Sequence, residues 1–108
     1  MTDELLSKMV DAIVAEVSPE QVYLFGSRAR GDAREDSDVD LLVVEREPFG
    51  EDRSRFEETN RVYKALASFQ VPLDVLLYSA EEMAKWGGSR YHIVGRCRRE
   101  GRLLYART

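Results

Sequence analysis

The chain changes hydrophobic period several times, and each change marks an element. Leu5, Leu6, Met9, Val10, Ile13 and Val14 recur three and four residues apart, the spacing that keeps one face of a helix apolar. Thr2 ahead of them offers an N-cap hydroxyl. Ser18-Pro19 closes this helix, because a residue before proline avoids helical angles. After Glu20-Gln21, the unbroken run Val22-Tyr23-Leu24-Phe25 reads as a short buried strand that stops at Gly26. Residues 27–31 read as a tight turn or one short helical turn. Gly31, Asp32, Ala33, Arg34, Glu35, Asp36 and Ser37 form a polar loop, and Val39 to Val44 is a second strand.

Pro48 and Gly50 place a loop over residues 45–52. Ser54 with Glu57 has capping-box spacing and opens a helix that turns Phe56, Val62, Tyr63, Leu66 and Phe69 toward the core. Pro72 introduces a third strand, Leu73 to Tyr78. Ser79 with Glu82 repeats the capping-box spacing and opens a short helix to about Trp86, broken by Gly87-Gly88. A last helix is expected from about Ser89 to Arg99, with Gly101 as its stop and with Gly95 as an awkward interior residue. Leu103-Leu104-Tyr105 is long enough for a short final strand. The order α-β-β-α-β-α-α predicts an α/β fold, with helices covering one face of a small sheet. No repeat or linker interrupts the chain, so a single domain over residues 1–108 is the expected organisation.

Composition narrows the class. Of 108 residues, 44% are apolar and 33% charged, which supports a soluble folded domain. The apolar runs are strand-length, so no membrane span is expected. The start of the chain is acidic (Asp3, Glu4) and has no signal-peptide pattern. The lone Cys97, flanked by Ile93 and Val94, reads as a core residue and suits a reducing cytoplasm. The net charge of −4 is unevenly spread: residues 89–108 hold six arginines and one acid, a balance of +5 against −9 elsewhere. That run is either a solvated helix face or an electrostatic guide for polyphosphate or an acidic partner. The overall acidity argues against a dedicated nucleic-acid binder.

The chemistry concentrates in three carboxylates. Asp38 and Asp40 stand two apart at the second strand, so they share a face, about 6.5–7 Å apart along it. Their mutual repulsion becomes binding when a divalent cation lies between them, and magnesium prefers carboxylate oxygens while keeping positions for substrate phosphates. Asp74 interrupts the otherwise apolar Leu73-Asp74-Val75-Leu76-Leu77. A carboxylate buried there would need a metal, a partner or a shifted pKa. If the second and third strands are neighbours, Asp74 joins Asp38 and Asp40 on one face. Three such acids can hold two metals around an in-line displacement, and Asp74 can also serve as a base.

Gly26 and Ser27 supply the complementary half. A glycine lets the backbone approach a phosphate closely, and successive N–H groups at a turn make an anion cradle. Arg28 and Arg30 add positive charge, without revealing which of them faces the ligand. Gly31 lets the turn end. The sharp feature is the combination: a Gly-Ser turn, ten intervening residues, an Asp-x-Asp strand and a further strand aspartate.

The segment Gly26-Ser27-Arg28-Ala29-Arg30-Gly31 through Asp38-Val39-Asp40-Leu41-Leu42-Val43 resembles the signature of the DNA polymerase β-type nucleotidyltransferase superfamily. The short length and Arg99-Glu100-Gly101-Arg102-Leu103-Leu104-Tyr105 resemble its minimal nucleotidyltransferase (MNT) branch. The resemblance implies a mixed sheet of three to four strands flanked by helices. It also implies a triphosphate, ATP first, held at Gly26 and Ser27, and two magnesium ions held by Asp38, Asp40 and Asp74. It further implies a HEPN-domain ribonuclease toxin as partner in a hetero-oligomer, neutralised by AMP transfer to a tyrosine, with this chain as cytoplasmic antitoxin. Two alternatives stay open: a small-molecule hydroxyl as acceptor, and an antitoxin that blocks its partner by contact alone. Neither a membrane nor direct nucleic-acid binding is expected. His92 reads as a helix-surface or packing residue, and Trp86 as a core or interface residue.

Overall fold

The computed structural model describes residues 2–31, 33–34 and 37–107. Asp32, Glu35 and Asp36 of the expected polar loop lie outside them. Helix α1 (Asp3–Val17) is capped by the Thr2 hydroxyl, which accepts from the Leu5 N–H at 3.1 Å, and it ends at Ser18 in the left-handed region. Strand β1 (Gln21–Phe25) leads without a loop into the short helix α2 (Gly26–Arg30), which stops at Gly31 with φ of 82°. Strand β2 (Val39–Glu45), helix α3 (Arg55–Leu66), a 3₁₀ turn (Ala67–Phe69), strand β3 (Leu73–Ser79), helix α4 (Ala80–Trp86), helix α5 (Ile93–Glu100) and strand β4 (Arg102–Ala106) follow.

The four strands lie in the order β3-β2-β1-β4. β1 runs antiparallel to both β2 and β4, whereas β2 and β3 are parallel. The parallel pair is possible because α3 makes the crossover between its strands. The sheet is therefore mixed, and the short terminal strand is real.

Side-chain alternation along β2 divides the interior. Val39, Leu41 and Val43 face α1 and α3, packing with Met9, Ile13, Val62 and Leu66. Leu42 and Val44 face the other way, against Met83, Val94 and Cys97 of α4 and α5. Helices thus cover both faces, not one as the element order suggested. The fully apolar Leu41 to Val44 run is the sequence trace of a strand buried on both sides.

Three further expectations change. Phe56 is 75% exposed rather than in the core. It lies in the first turn of α3, about 120° around the axis from Val62, so it misses the buried stripe. The last helix begins at Ile93 rather than near Ser89, because the Ser89 hydroxyl accepts from the Tyr91 and His92 N–H groups and holds the chain in a turn. Gly101 does end that helix, but in an extended conformation at φ −79°. The Ser79–Glu82 capping box forms in both directions, while at Ser54 only the hydroxyl bond to the Glu57 N–H is made.

Candidate active site

The site is built from one row of the sheet. Phe25 on β1 pairs with Asp40 on β2, and Asp40 pairs with Asp74 on β3. Directly opposed residues present their side chains on the same face. This is the face that carries Tyr23, Leu42 and Leu76 in the next row, packed beneath α5 and α4. At the row of Asp40 that apolar cover gives way to carboxylates.

Asp38 lies one residue ahead of β2 and is exposed. The start of the strand is fixed beside it, where the Val39 N–H donates to the Pro72 carbonyl at 2.8 Å. Asp74 is also exposed. Its strand is the sheet edge, so the expectation of a buried carboxylate there is corrected: Asp74 meets water, and its apolar neighbours Val75 and Leu77 point the other way.

Asp40 is the partly buried member. Burial pushes its carboxyl above the ordinary aspartate range, and the charges of Asp74 and Asp38 push it further; Arg30 and Arg28 oppose the shift. Among the described residues, no three carboxylate, histidine or cysteine side chains converge as a ready-made metal cluster. The acids are nonetheless near enough that Asp40 feels both neighbours, and a cation beside them would relieve that repulsion. The donor set is all oxygen, the kind a hard divalent cation takes.

Gly26 faces Asp40 directly. Its φ is 72°, and a Cβ placed on it would overlap the Asp40 carboxylate oxygen Oδ2. The turn therefore depends on glycine twice, for its left-handed backbone and for the space taken by the acid. Ser27 follows as the second residue of α2. The two arginines of the turn separate in role. Arg28 donates from Nε and Nη2 to the Ser37 carbonyl at 3.2 and 2.7 Å, tying the turn to the segment that delivers Asp38. Arg30 borders a cavity of about 170 Å³ between α2 and α5. Arg96 and Glu100, which the sequence places only in a charged run, line the same cavity.

Two other residues acquire roles that pattern alone did not reveal. His92 caps α5, its Nδ1 accepting from the Val94 N–H at 3.1 Å, and its ring stacks on Trp86 with centroids 4.6 Å apart. Glu45, at the end of a strand of valines and leucines, is buried and paired with Arg53. Cys97 sits in the core as expected, its thiol pushed up to about 11 by burial.

Fold and turn together define a class, and comparison with known proteins names it. The nucleotidyltransferase domain model matches residues 6–96, so the chain belongs to that family. The candidate protein adenylyltransferase MJ0141 of Methanocaldococcus jannaschii is 34% identical over 58 residues, 54% of each chain. The chain thus spans about half the length of that curated relative. A candidate nucleotidyltransferase from Sulfolobus solfataricus has a similar structure, with TM-score 0.67 and 23% identity over 96% of this chain and 79% of its own. So has the MNT antitoxin complex with a tri-AMPylated HEPN toxin from Shewanella oneidensis, with TM-score 0.57 and 16% identity over 99% of this chain and 74% of that one. A toxin–antitoxin structure with AMP-PNP gives TM-score 0.57 at 18% identity over 94% and 74%. At these identities the structural likenesses speak for the fold.

Proposed function

We propose that this chain transfers a nucleoside monophosphate, AMP from ATP first, to a hydroxyl of a partner protein and releases pyrophosphate. The observation that carries it is the lateral alignment of Asp40 with Asp74, beside a Gly26 that only an unsubstituted α-carbon can occupy, in a chain of the nucleotidyltransferase family. Gly26 and Ser27 bind the triphosphate through backbone N–H groups and the Ser27 hydroxyl. Arg28 keeps the turn and the Asp38 segment in register, and Arg30 contributes charge at the same end.

Asp38, Asp40 and Asp74 are the residues that would hold magnesium, which supplies charge neutralisation at the phosphates when bound. The acceptor oxygen forms a bond to the α-phosphorus while the bond from that phosphorus to the β-bridging oxygen breaks. Asp74, which is exposed at the sheet edge, takes the hydroxyl proton in this reading. The pyrophosphate leaves along the Gly26–Ser27 turn.

The acceptor we favour is a tyrosine of a HEPN-type toxin, with this chain as antitoxin in the cytoplasm. The support is the likeness to MNT antitoxins in toxin complexes and to a protein adenylyltransferase. No helix among the described residues is long and apolar enough to cross a membrane. The test is the intact mass of the partner after incubation with this chain, magnesium and each nucleoside triphosphate in turn. A gain of one or more nucleoside monophosphates, lost with Asp40→Asn, is the expected result. A tight complex that never gains mass would replace this reading with inhibition by contact.

A further inference from the structure

Tyr91 is the one bare phenol of this chain. Of the five tyrosines, Tyr23, Tyr63, Tyr78 and Tyr105 are half-buried in the packed layers on the two faces of the sheet. The Tyr63 hydroxyl is also engaged, accepting from the Val75 N–H at 2.9 Å. Tyr91 is 87% exposed, and the turn that carries it is tied down on both sides. Arg99 donates from Nη1 and Nη2 to the Ser89 and Arg90 carbonyls at 2.8 and 3.0 Å. The Ser89 hydroxyl accepts from the Tyr91 N–H at 3.4 Å, and the ring of His92, the next residue, is stacked on Trp86. A pinned backbone thus presents a free aromatic hydroxyl to solvent. The turn also stands beside the candidate active site. Ile93, the first residue of α5, lines the cavity that Phe25 and Gly26 border. Two residues of chain span at most about 7 Å, so the Tyr91 backbone stays within that distance of the cavity wall.

We propose that Tyr91 is a self-modification site, its hydroxyl accepting AMP from ATP bound to a second copy of the chain. The proposal rests on the reading above, in which the acceptor is a protein tyrosine. A transferase of that kind meets a single exposed phenol on its own surface. The Tyr91 oxygen forms a bond to the α-phosphorus while the bond from that phosphorus to the β-bridging oxygen breaks. Pyrophosphate leaves, and the phenolic proton passes to the Asp74 carboxylate of the second copy. Transfer runs between copies because the turn is pinned and its phenol faces water rather than its own Asp40. The position beside the site has a further consequence. A two-fold arrangement that brings one Tyr91 to the second copy's site brings the second Tyr91 to the first site as well, so one contact serves twice. Charge favours that approach. Arg90, next to Tyr91, is exposed, as are Asp38 and Asp74 at the receiving site, and opposite charges steer two such surfaces together.

The experiment incubates the chain with magnesium and ATP in the absence of any other protein. Intact mass reads the label, and peptide mapping by mass spectrometry locates it. Wild type is compared with Tyr91→Phe, which keeps the ring and removes the acceptor oxygen, and with Asp40→Asn, which the reading above makes inactive. Thermal transitions check that both variants fold. We expect wild type to gain one nucleoside monophosphate on Tyr91 and each variant alone to gain less than a tenth as much. Mixing the two variants should restore the label, and only on Tyr91 of the Asp40→Asn chain. Label that persists in Tyr91→Phe, or that maps to another residue, overturns the proposal. So does a mixture that stays unlabelled while wild type labels itself, since transfer would then stay within one copy. The partner assay run beside it separates this proposal from the one it rests on. An unlabelled chain that still modifies its partner overturns self-modification and leaves the proposed reaction standing. A chain labelled on Tyr91 that modifies no partner does the reverse, and absence of label on both defeats both.

Discussion

The Asp40 carboxylate occupies the space that a side chain on Gly26 would need. Strand β2 delivers the acid, and the β1–α2 junction delivers the glycine, through the pairing of Phe25 with Asp40. The Gly26–Ser27 turn and the acidic row are therefore one packed unit, and a change in either should be felt by both.

The sharpest test of that unit is Gly26→Ala. The φ of 72° disfavours any L side chain at a cost of about 1–2 kcal/mol, and the new methyl displaces Asp40 as well. We expect the melting temperature to fall by several degrees and AMP transfer to fall at least tenfold. Differential scanning and a mass-based transfer assay report the two effects separately. Wild-type transfer with a lowered melting temperature would show that the turn contributes only stability.

The same geometry separates the two aligned acids. Asp40 is partly buried and crowded by Asp74 and Asp38, whereas Asp74 is exposed at the edge. Asp40→Asn should leave stability equal to or above that of wild type, because it removes like-charge repulsion. Asp74→Asn should change it by less than about 0.5 kcal/mol. Both should lose transfer by about 10²–10⁴-fold, the range for a base or charge-stabilising group. Activity lost without stability is the signature of functional strain; denaturant midpoints beside initial rates would show it.

How far the sequence spoke can be judged from particular residues. Helix α1, strand β1 and both Ser-led helix starts were legible, because period and caps are local signals. The row containing Asp40 and Asp74 was legible only conditionally, since it depended on which strands pair. The exposure of Asp74 was not legible, because an apolar run reads alike at an edge and at the centre when one face alone is covered. Phe56 misled because an aromatic in the first turn of a helix counts toward the pattern without reaching the core. Arg96 and Glu100 were hidden in a charged run; only the packing of α5 against α2 turns them toward a cavity.

Glu45 should give the fold an unusual pH dependence. Its carboxyl is pushed up to about 7 by burial, with Glu58 close by and Arg53 opposing. Its Oε2 has no donor among the described residues, since Glu58 as a carboxylate can only accept. A proton on Glu45 supplies the missing donor and bridges the two acids, and the same bond holds Glu58 below its usual range. A folded value above the unfolded 4.5 means that stability from Glu45 is present below about pH 4.5. It is lost as pH rises through about 7. Glu58 acts in the opposite sense over its own lower range. We expect Glu45→Gln, which imitates the protonated acid, to match wild type near pH 5. At pH 8 it should be more stable by about 1–3 kcal/mol. Urea midpoints across that range decide it; parallel curves for the two proteins would rule out the shared proton.

Gly95→Ala sets two physical effects against each other. Alanine is the better helix former by about 1 kcal/mol, and Gly95 lies inside α5. Propensity alone would make the variant more stable. A Cβ at that position, however, would run into the Ser89 backbone carbonyl, and it would crowd the Arg99 guanidinium at 3.2 Å. That carbonyl is already held by Arg99 Nη1 at 2.8 Å, within the turn whose Ser89 hydroxyl accepts from the His92 N–H. Backbone cannot swing aside as a flexible side chain does, so the turn or the helix must shift, at about 1–3 kcal/mol. We expect the clash to win, with a net loss of about 1–2 kcal/mol in denaturant unfolding. Because α5 forms one wall of the cavity beside Gly26, the displacement should also weaken nucleotide binding. A stabilised variant with unaltered nucleotide binding would mean that the turn before α5 yields freely and that the helix is not held in place by it.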